Sequence, residues 1–272
     1  MLKDITLGQF FPGDSPIHQL DPRMKLIMTV IYMAALFICG GLYGYLLMTV
    51  FIVFVVALSK LKPIMVLKSI KPLLFIIIFT GILNLFYVQG NDVVFSFWVL
   101  RITREGIYQA AFMTIRLMYL VIGTSLLTYT TSPINLADGM EHLLKPLQRI
   151  NIPVHELAMM MTIALRFIPT LIEETDKIIN AQKSRGADFD SGNLIRRAKV
   201  MVPILVPLFV SAFRRADELA VAMECRCYSG GNGRTSIKTF KFHNIDYFGI
   251  IIMFILIASV VTLKVLNLEI SP

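Results

Sequence analysis

Two short stretches hold the residues best suited to chemistry with a partner. One reads Asp176-x4-Ala181-x3-Arg185-Gly186 and the other Asp217-x4-Ala222-x3-Arg226-Cys227, so Asp, Ala and Arg recur at identical spacing. An aromatic follows soon after each arginine, Phe189 in the first and Tyr228 in the second. A guanidinium is planar, permanently charged and able to grip a carboxylate through two parallel hydrogen bonds. At the end of a stiff helix it suits docking into an acidic groove on another protein. A plainer reading is open for either stretch alone: the helix dipole favours a cation at a C-terminus, and Gly186 suits a left-handed cap. That reading does not explain why one chain holds two copies, and the pair is read as a docking pair.

The elements that position these arginines follow from cap and breaker residues. Ser132 and Pro133 read as an N-cap and first-turn proline, starting a helix that ends near Arg149. Pro153 opens a second helix that stops at Gly186. Asp190, Ser191 and Asn193 offer caps for a third, running to about Arg226 and bent at Pro203 and Pro207. The second and third helices are apolar at the start and charged towards the end, which fits a position along or inclined to a membrane surface. Their apolar runs, LAMMMTIALRFI and VMVPILVPLFV, nominate Met159, Met160 and Leu205 as contacts for a hydrophobic membrane partner. For the methionines, core packing is the alternative.

The rest of the chain requires a bilayer. Of its 272 residues 56% are hydrophobic and 16% charged, with a mean hydropathy of +0.70. A soluble domain is ~25% charged. So much apolar surface excludes disorder, and three cysteines cannot staple a disulfide framework. Cys225 and Cys227 flank one arginine with no second Cys/His pair to complete a zinc site, and the four histidines show no metal spacing. The net charge of +8 is a topology signal before it is a nucleic-acid signal. No signal peptide is expected, because residues 1 to 25 are polar.

The first apolar block, Leu26 to Leu58, is too long for one crossing and contains Gly40, Gly41 and Gly44, so it reads as a hairpin of two spans. Basic residues on both flanks, Arg23 and Lys25 before and Lys60, Lys62, Lys68 and Lys71 after, require an even number of crossings under the positive-inside rule. Further spans are read at residues 73–88, 107–130 and 247–266, with VVFSFWVL at the outer interface. The expected fold is an all-α integral membrane protein. A cytoplasmic N-terminal segment (1–25) leads into four transmembrane helices (26–130). A cytoplasmic or interfacial coupling domain (131–245) follows, with two long helices and a shorter one, and then a final span with an outer C-terminus (246–272). The coupling segment holds 15 Lys+Arg and 11 Asp+Glu, more than half the charges of the chain.

Arg116 is the one strong charge at membrane depth, a candidate for substrate or ion relay. The alternative is an arginine bonded to backbone carbonyls or to a polar group such as Asn84. There is no G-x-x-x-x-G-K-[ST] phosphate loop, since GGNGRTS at 230–236 lacks the lysine and a preceding strand. No triad or carboxylate pair lies in a credible pocket, so an enzyme is not expected.

Four blocks together resemble a known family: FFPGDSPIHQLDPRMKL (10–26), TTSPINLADGMEHLLKPL (130–147), ALRFIPTLIEETDKIINAQKSRGADF (164–189) and RRADELAVAMECRCY (214–228). In order and spacing they are similar to the transmembrane T component (EcfT family) of energy-coupling factor (ECF) transporters, a branch of the ABC importers. The resemblance implies a scaffold in a prokaryotic plasma membrane with three kinds of partner: the lipid bilayer, two ABC-type ATPase subunits and a substrate-binding S component. It implies uptake of vitamins or other micronutrients, with ATP and Mg bound by the ATPases and no cofactor in this chain. The family's two Xaa-Arg-Gly motifs correspond to Ser184-Arg185-Gly186 and Cys225-Arg226-Cys227. In the second, cysteine replaces glycine, so a left-handed cap is not expected there and Gly230 and Gly231 offer later turns. The rival class is a self-contained secondary transporter or channel, which calls for broken helices and polar groups at the midplane; the spans offer only Arg116 and Asn84.

The charge pattern sets the topology and a test of it. On a cysteine-free background in intact cells, an impermeant thiol reagent should modify Asp92→Cys and spare Lys62→Cys. The reverse pattern would invert every span.

Overall fold

The computed structural model describes residues 10–87, 93–97, 100–150, 152–187, 194–230 and 242–266. The helices are α1 (Pro16–Gln19), α2 (Pro22–Ile38), α3 (Gly41–Ser59), α4 (Pro63–Lys68), α5 (Leu74–Tyr87), α6 (Arg104–Thr130), α7 (Pro133–Leu144), α8 (Val154–Ser184), α9 (Leu194–Cys225) and α10 (Asn244–Val265). Between α5 and α6, strands β1 (Val93–Phe97) and β2 (Leu100–Thr103) pair as an antiparallel hairpin, Phe97 opposite Leu100. The fold is therefore an all-α membrane architecture with one small hairpin. Contacts divide the chain into two compact units, Met140–Thr239 and Gly8–Gly139 with Phe240–Pro272.

In the second of these units α5 packs on α6, and α2 packs on both α6 and α10. Tyr32, Leu36, Met48, Ile52, Leu126 and Leu256 form part of its buried core. Local chemistry sets the boundaries. Pro16, Pro22 and Pro63 each occupy a first helical turn, where a missing N–H costs nothing. Ser15 caps α1 by accepting the His18 N–H at 3.3 Å, and Asp21 caps α2 by accepting the Arg23 N–H at 2.9 Å. Gly41, at φ 62°, turns the chain between α2 and α3, where the glycine cluster predicts the hairpin.

Five helical segments are long and apolar enough to cross a membrane: Gly41–Ser59, Pro63–Tyr87, Arg104–Thr130, Val154–Ser184 and Asn244–Val265. This set differs from the sequence reading at three places. α2, with 17 residues, is not among the five, whereas α8, read as a surface helix, is. The lysine-rich stretch after α3 is no plain loop: α4 and a 3-10 turn at Lys71–Leu73 lead into α5, so the segment is helical from Pro63. The helix from Pro133 stops at Leu144 and tightens into a 3-10 turn, Lys145–Ile150, because Pro146 disfavours α-helical geometry in the residue before it. Asp190, Ser191, Asn193 and Phe189 lie outside the described residues.

Hydroxyls on the spans donate to backbone oxygens one turn earlier, as Thr49 does to Tyr45, Thr80 to Ile76 and Thr114 to Ala110. Charged groups gather where the helix ends meet. Asp246 is wholly buried and accepts the N–H groups of Asp21 at 2.9 Å and His243 at 2.7 Å, capping α10 and joining it to the start of α2. Lys25 Nζ donates to His18 O at 3.1 Å and Thr130 O at 2.9 Å, holding the end of α6 against α2. Deeper in, Tyr32 donates to Tyr119 O at 2.9 Å, and its ring lies where a Cβ on Gly123 would come within 2.3 Å. Gly123→Ala must push that ring aside and should cost about 1–3 kcal/mol. Thermal unfolding in detergent should show a lowered midpoint for Gly123→Ala and little change for the exposed neighbour Thr124→Ala; equal midpoints would refute the tight α2–α6 contact.

Candidate functional site

The Met140–Thr239 unit is built on α8 packed against α9. Glu141, at the end of α7, meets His155 Nδ1 at 2.8 Å in the first turn of α8. One ion pair then links the two long helices, Arg215 of α9 with Glu174 of α8, both about three-quarters buried. These residues are 41 positions apart, the same offset that relates Arg226 to Arg185. The pair therefore joins equivalent positions of the two helices. Each partner precedes its helix's terminal arginine by the same number of residues, about 16 Å at 1.5 Å rise. Arg215 Nη1 is buried with no partner among the described residues, so its compensation rests on Glu174. The neighbouring Arg214–Glu218 pair at 3.3 Å is exposed and adds little.

Both helices end in the same way. At the first tip Gly186 N–H donates to Lys183 O at 2.9 Å and Ala187 N–H to Gln182 O at 3.0 Å. At the second, Cys227 N–H donates to Glu224 O at 2.8 Å and Tyr228 N–H to Met223 O at 3.1 Å. Each is a Schellman motif, which satisfies the last helical carbonyls through a left-handed residue. Gly186 supplies it at φ 85°, as the sequence suggests. The other supplier is Cys227 at φ 57°, which corrects the expectation that cysteine disfavours a left-handed cap at this position. The two donor bonds hold the residue in a region that costs a side-chain-bearing residue roughly 1–2 kcal/mol.

These caps present Ser184, Arg185 and Gly186 at one tip and Cys225, Arg226 and Cys227 at the other, all exposed. Neither arginine has an ion-pair partner among the described residues, so both guanidinium forks are open to an external carboxylate. Nearer the helix starts, Met160 is 54% exposed and Leu205 47%, while Met159 is half-buried. On α9 the exposed strip continues through Met201, Val206, Phe209 and Phe213. α9 is continuous through Pro203 and Pro207, and α8 through Pro169, which the sequence reading does not single out.

Arg116 belongs to the other unit. Its Nε donates to the Tyr45 hydroxyl at 3.0 Å, its Nη2 to Cys39 O at 3.2 Å, and its guanidinium lies over the Tyr45 ring. It ties the end of α2 to α3 and α6. Asn84, suggested as its partner, instead donates to Thr80 O in its own helix at 2.9 Å. The sequence reading missed the Glu174–Arg215 pair. Its signal was present, in opposite charges at equivalent positions of two copies of one pattern.

Several apolar helices and a helix pair ending in exposed arginines describe a multi-pass membrane protein built to engage partners. Comparisons narrow the class. A family model described as CbiQ, cobalt transport protein, matches residues 13–237. The chain is 58% identical over 246 residues to the energy-coupling factor transporter transmembrane protein EcfT of Ruminiclostridium cellulolyticum, covering 90% of this chain and 92% of that one. The protein of the same name from Clostridium kluyveri is 56% identical over 248 residues, 91% of this chain and 92% of that one. For Lactococcus lactis the identity is 43% over 259 residues, 94% of this chain and 97% of that one. The chain belongs to this family of transporter transmembrane components.

Glycine adopts the left-handed cap without the strain borne by Cys227. Cys227→Gly should therefore tighten the second tip and slow hydrogen exchange at the Tyr228 amide several-fold, and Gly186→Ala should speed it at Ala187 by a similar factor. Unchanged exchange in both would show that the caps do not depend on the left-handed residue.

Proposed function

We propose that this chain is the energy-coupling scaffold of an ECF transporter. In this reading it links ATP hydrolysis by two cytoplasmic ABC-type ATPase subunits to movement of a substrate-binding S component that imports a vitamin or another micronutrient. The observation that carries the proposal is the pair of exposed arginines on equivalent Schellman tips, tied together by Glu174–Arg215 at equal distance from each. Each arginine enters a carboxylate-bearing groove on one ATPase. The exposed apolar strips around Met159, Met160 and Leu205 receive the S component. Two stiff helices joined at one point then convey a displacement of their tips to that strip.

The chain itself is non-catalytic in this reading; ATP and Mg are bound by the ATPases. The N-terminus and the tips face the cytoplasm and the C-terminus lies outside, as the basic flanks favour. The rival of a self-contained transporter loses its main support, because the intramembrane charge Arg116 is engaged by Tyr45 and by the Cys39 carbonyl.

Removing one side of a desolvated charge pair costs about 2–5 kcal/mol. In vesicles reconstituted with the ATPases and an S component, Arg185→Ala or Arg226→Ala should strongly reduce ATP-dependent uptake. The double variant should release the ATPases or uncouple hydrolysis from uptake. Lysine at either position should rescue only partly, since it lacks the planar fork. Full uptake by the double alanine variant with the ATPases still bound would reduce the tips to ordinary capped helix ends.

A further inference from the structure

The Gly8–Gly139/Phe240–Pro272 unit contains a partly open cleft that no step of coupling uses. Its interior is about 180 Å³, below the ~300–1,000 Å³ of small-molecule sites but with room for part of an acyl chain. Its walls come from α1, α2, α3, α6 and α10, and most lining side chains are apolar. The lining descends along the helices in parallel. Lys25 and Tyr32 on α2, Leu58 and Phe51 on α3, and Thr130 and Gly123 on α6 are each seven residues apart. The cleft thus reaches two helical turns, about 10 Å, inward from the helix ends, or about a third of a ~30 Å hydrocarbon core.

Its charge is confined to that outer end. Lys25 is the one basic or acidic residue in the lining, and it is buried. Two of its three ammonium donors go to His18 O and Thr130 O, which leaves one for an anionic oxygen. Asp246 and Asp21 act on the Lys25 ammonium through space, while their hydrogen bonds go elsewhere: Asp246 accepts two backbone N–H groups, and Asp21 accepts the Arg23 N–H with Arg23 Nε at 3.4 Å. Asp14 is exposed on the segment before α1. Lys60 and Lys62, also exposed, follow α3 just beyond Leu58. An apolar slot opening beside a cationic rim at a helix-end boundary matches an acyl chain carrying a negative head group.

We propose that this cleft is a binding site for one anionic glycerophospholipid, with an acyl chain between α2, α3 and α6 and the phosphate at Lys25. The bound chain fills space that neighbouring side chains leave open and so fixes the spacing of these helices. The site does not depend on the docking of the arginine tips.

The experiment uses the full-length chain taken from vesicles of phosphatidylglycerol and phosphatidylcholine in equal parts, with retained lipid identified by native mass spectrometry. One phosphatidylglycerol per chain is expected, retained about tenfold over phosphatidylcholine. Val55→Phe places a ring in the cleft without removing a hydrogen bond and should abolish retention with the unfolding midpoint preserved. Leu127→Phe serves the same purpose if Val55→Phe does not fold. Lys25→Met should keep a lipid but lose the head-group preference. Absence of retained lipid in the wild type, retention without head-group preference, or equal retention by the wild type and a folded cleft-filled variant would each overturn the proposal.

Discussion

A polar group inside a bilayer has no water to turn to, and that constraint shapes most of this protein. Backbone groups must be satisfied within the structure, which restricts the spans to helices. The same rule governs the side chains. Threonine hydroxyls donate back to their own helices, Arg116 uses Tyr45 and the Cys39 carbonyl, and Asp246 uses two backbone N–H groups. The bonds made by the charged side chains also join elements. Lys25 fixes the end of α6 to α2, Asp246 fixes α10 to the segment before α2, and Arg116 closes the α2–α3 turn onto α6. The polar residues of this unit are thus rivets, and they leave no open relay through it among the described residues.

In the Met140–Thr239 unit the logic is reversed, and charged groups at the helix tips are left exposed without ion pairs among the described residues. The Schellman caps complete the backbone at both tips and leave Arg185 and Arg226 with open donors. Glu174 and Arg215 set these two ends in register, because the pair connects matching positions of a repeated pattern. A buried pair of this kind adds little net stability compared with apolar packing, yet breaking one side is costly. Its value here is geometric: two arginines are held at equal reach from one point.

Much of this was legible in the chain. The glycine cluster at residues 40–44 and the proline first turns mark helix boundaries that the structure shares, and the repeated Asp-x4-Ala-x3-Arg pattern identifies the tips. What the sequence hid has physical causes. Length and apolarity do not separate a span from a long apolar helix of another kind, so α8 joins the candidate spans although its charged end reads as a surface helix. Propensity disfavours a left-handed cysteine, but two backbone hydrogen bonds at Cys227 outweigh about 1–2 kcal/mol of strain. Arg116 had several conceivable partners, and only the approach of the α2–α3 turn selects Tyr45 and Cys39 over Asn84. The apolar cleft has no sequence signal, since its lining comes from five separate helices.

Cysteines 225 and 227 stand exposed on either side of Arg226, whereas Cys39 is buried, so the native chain already carries a reporter at one tip. Docking of that tip is tested most directly by the rate at which a bulky thiol reagent modifies these two residues, with and without the ATPase subunits. Rapid modification of the isolated chain and strong protection in the assembled, transport-competent complex are predicted. Equal modification rates in the two states would contradict docking through Arg226, and with it the coupling role assigned to the paired tips.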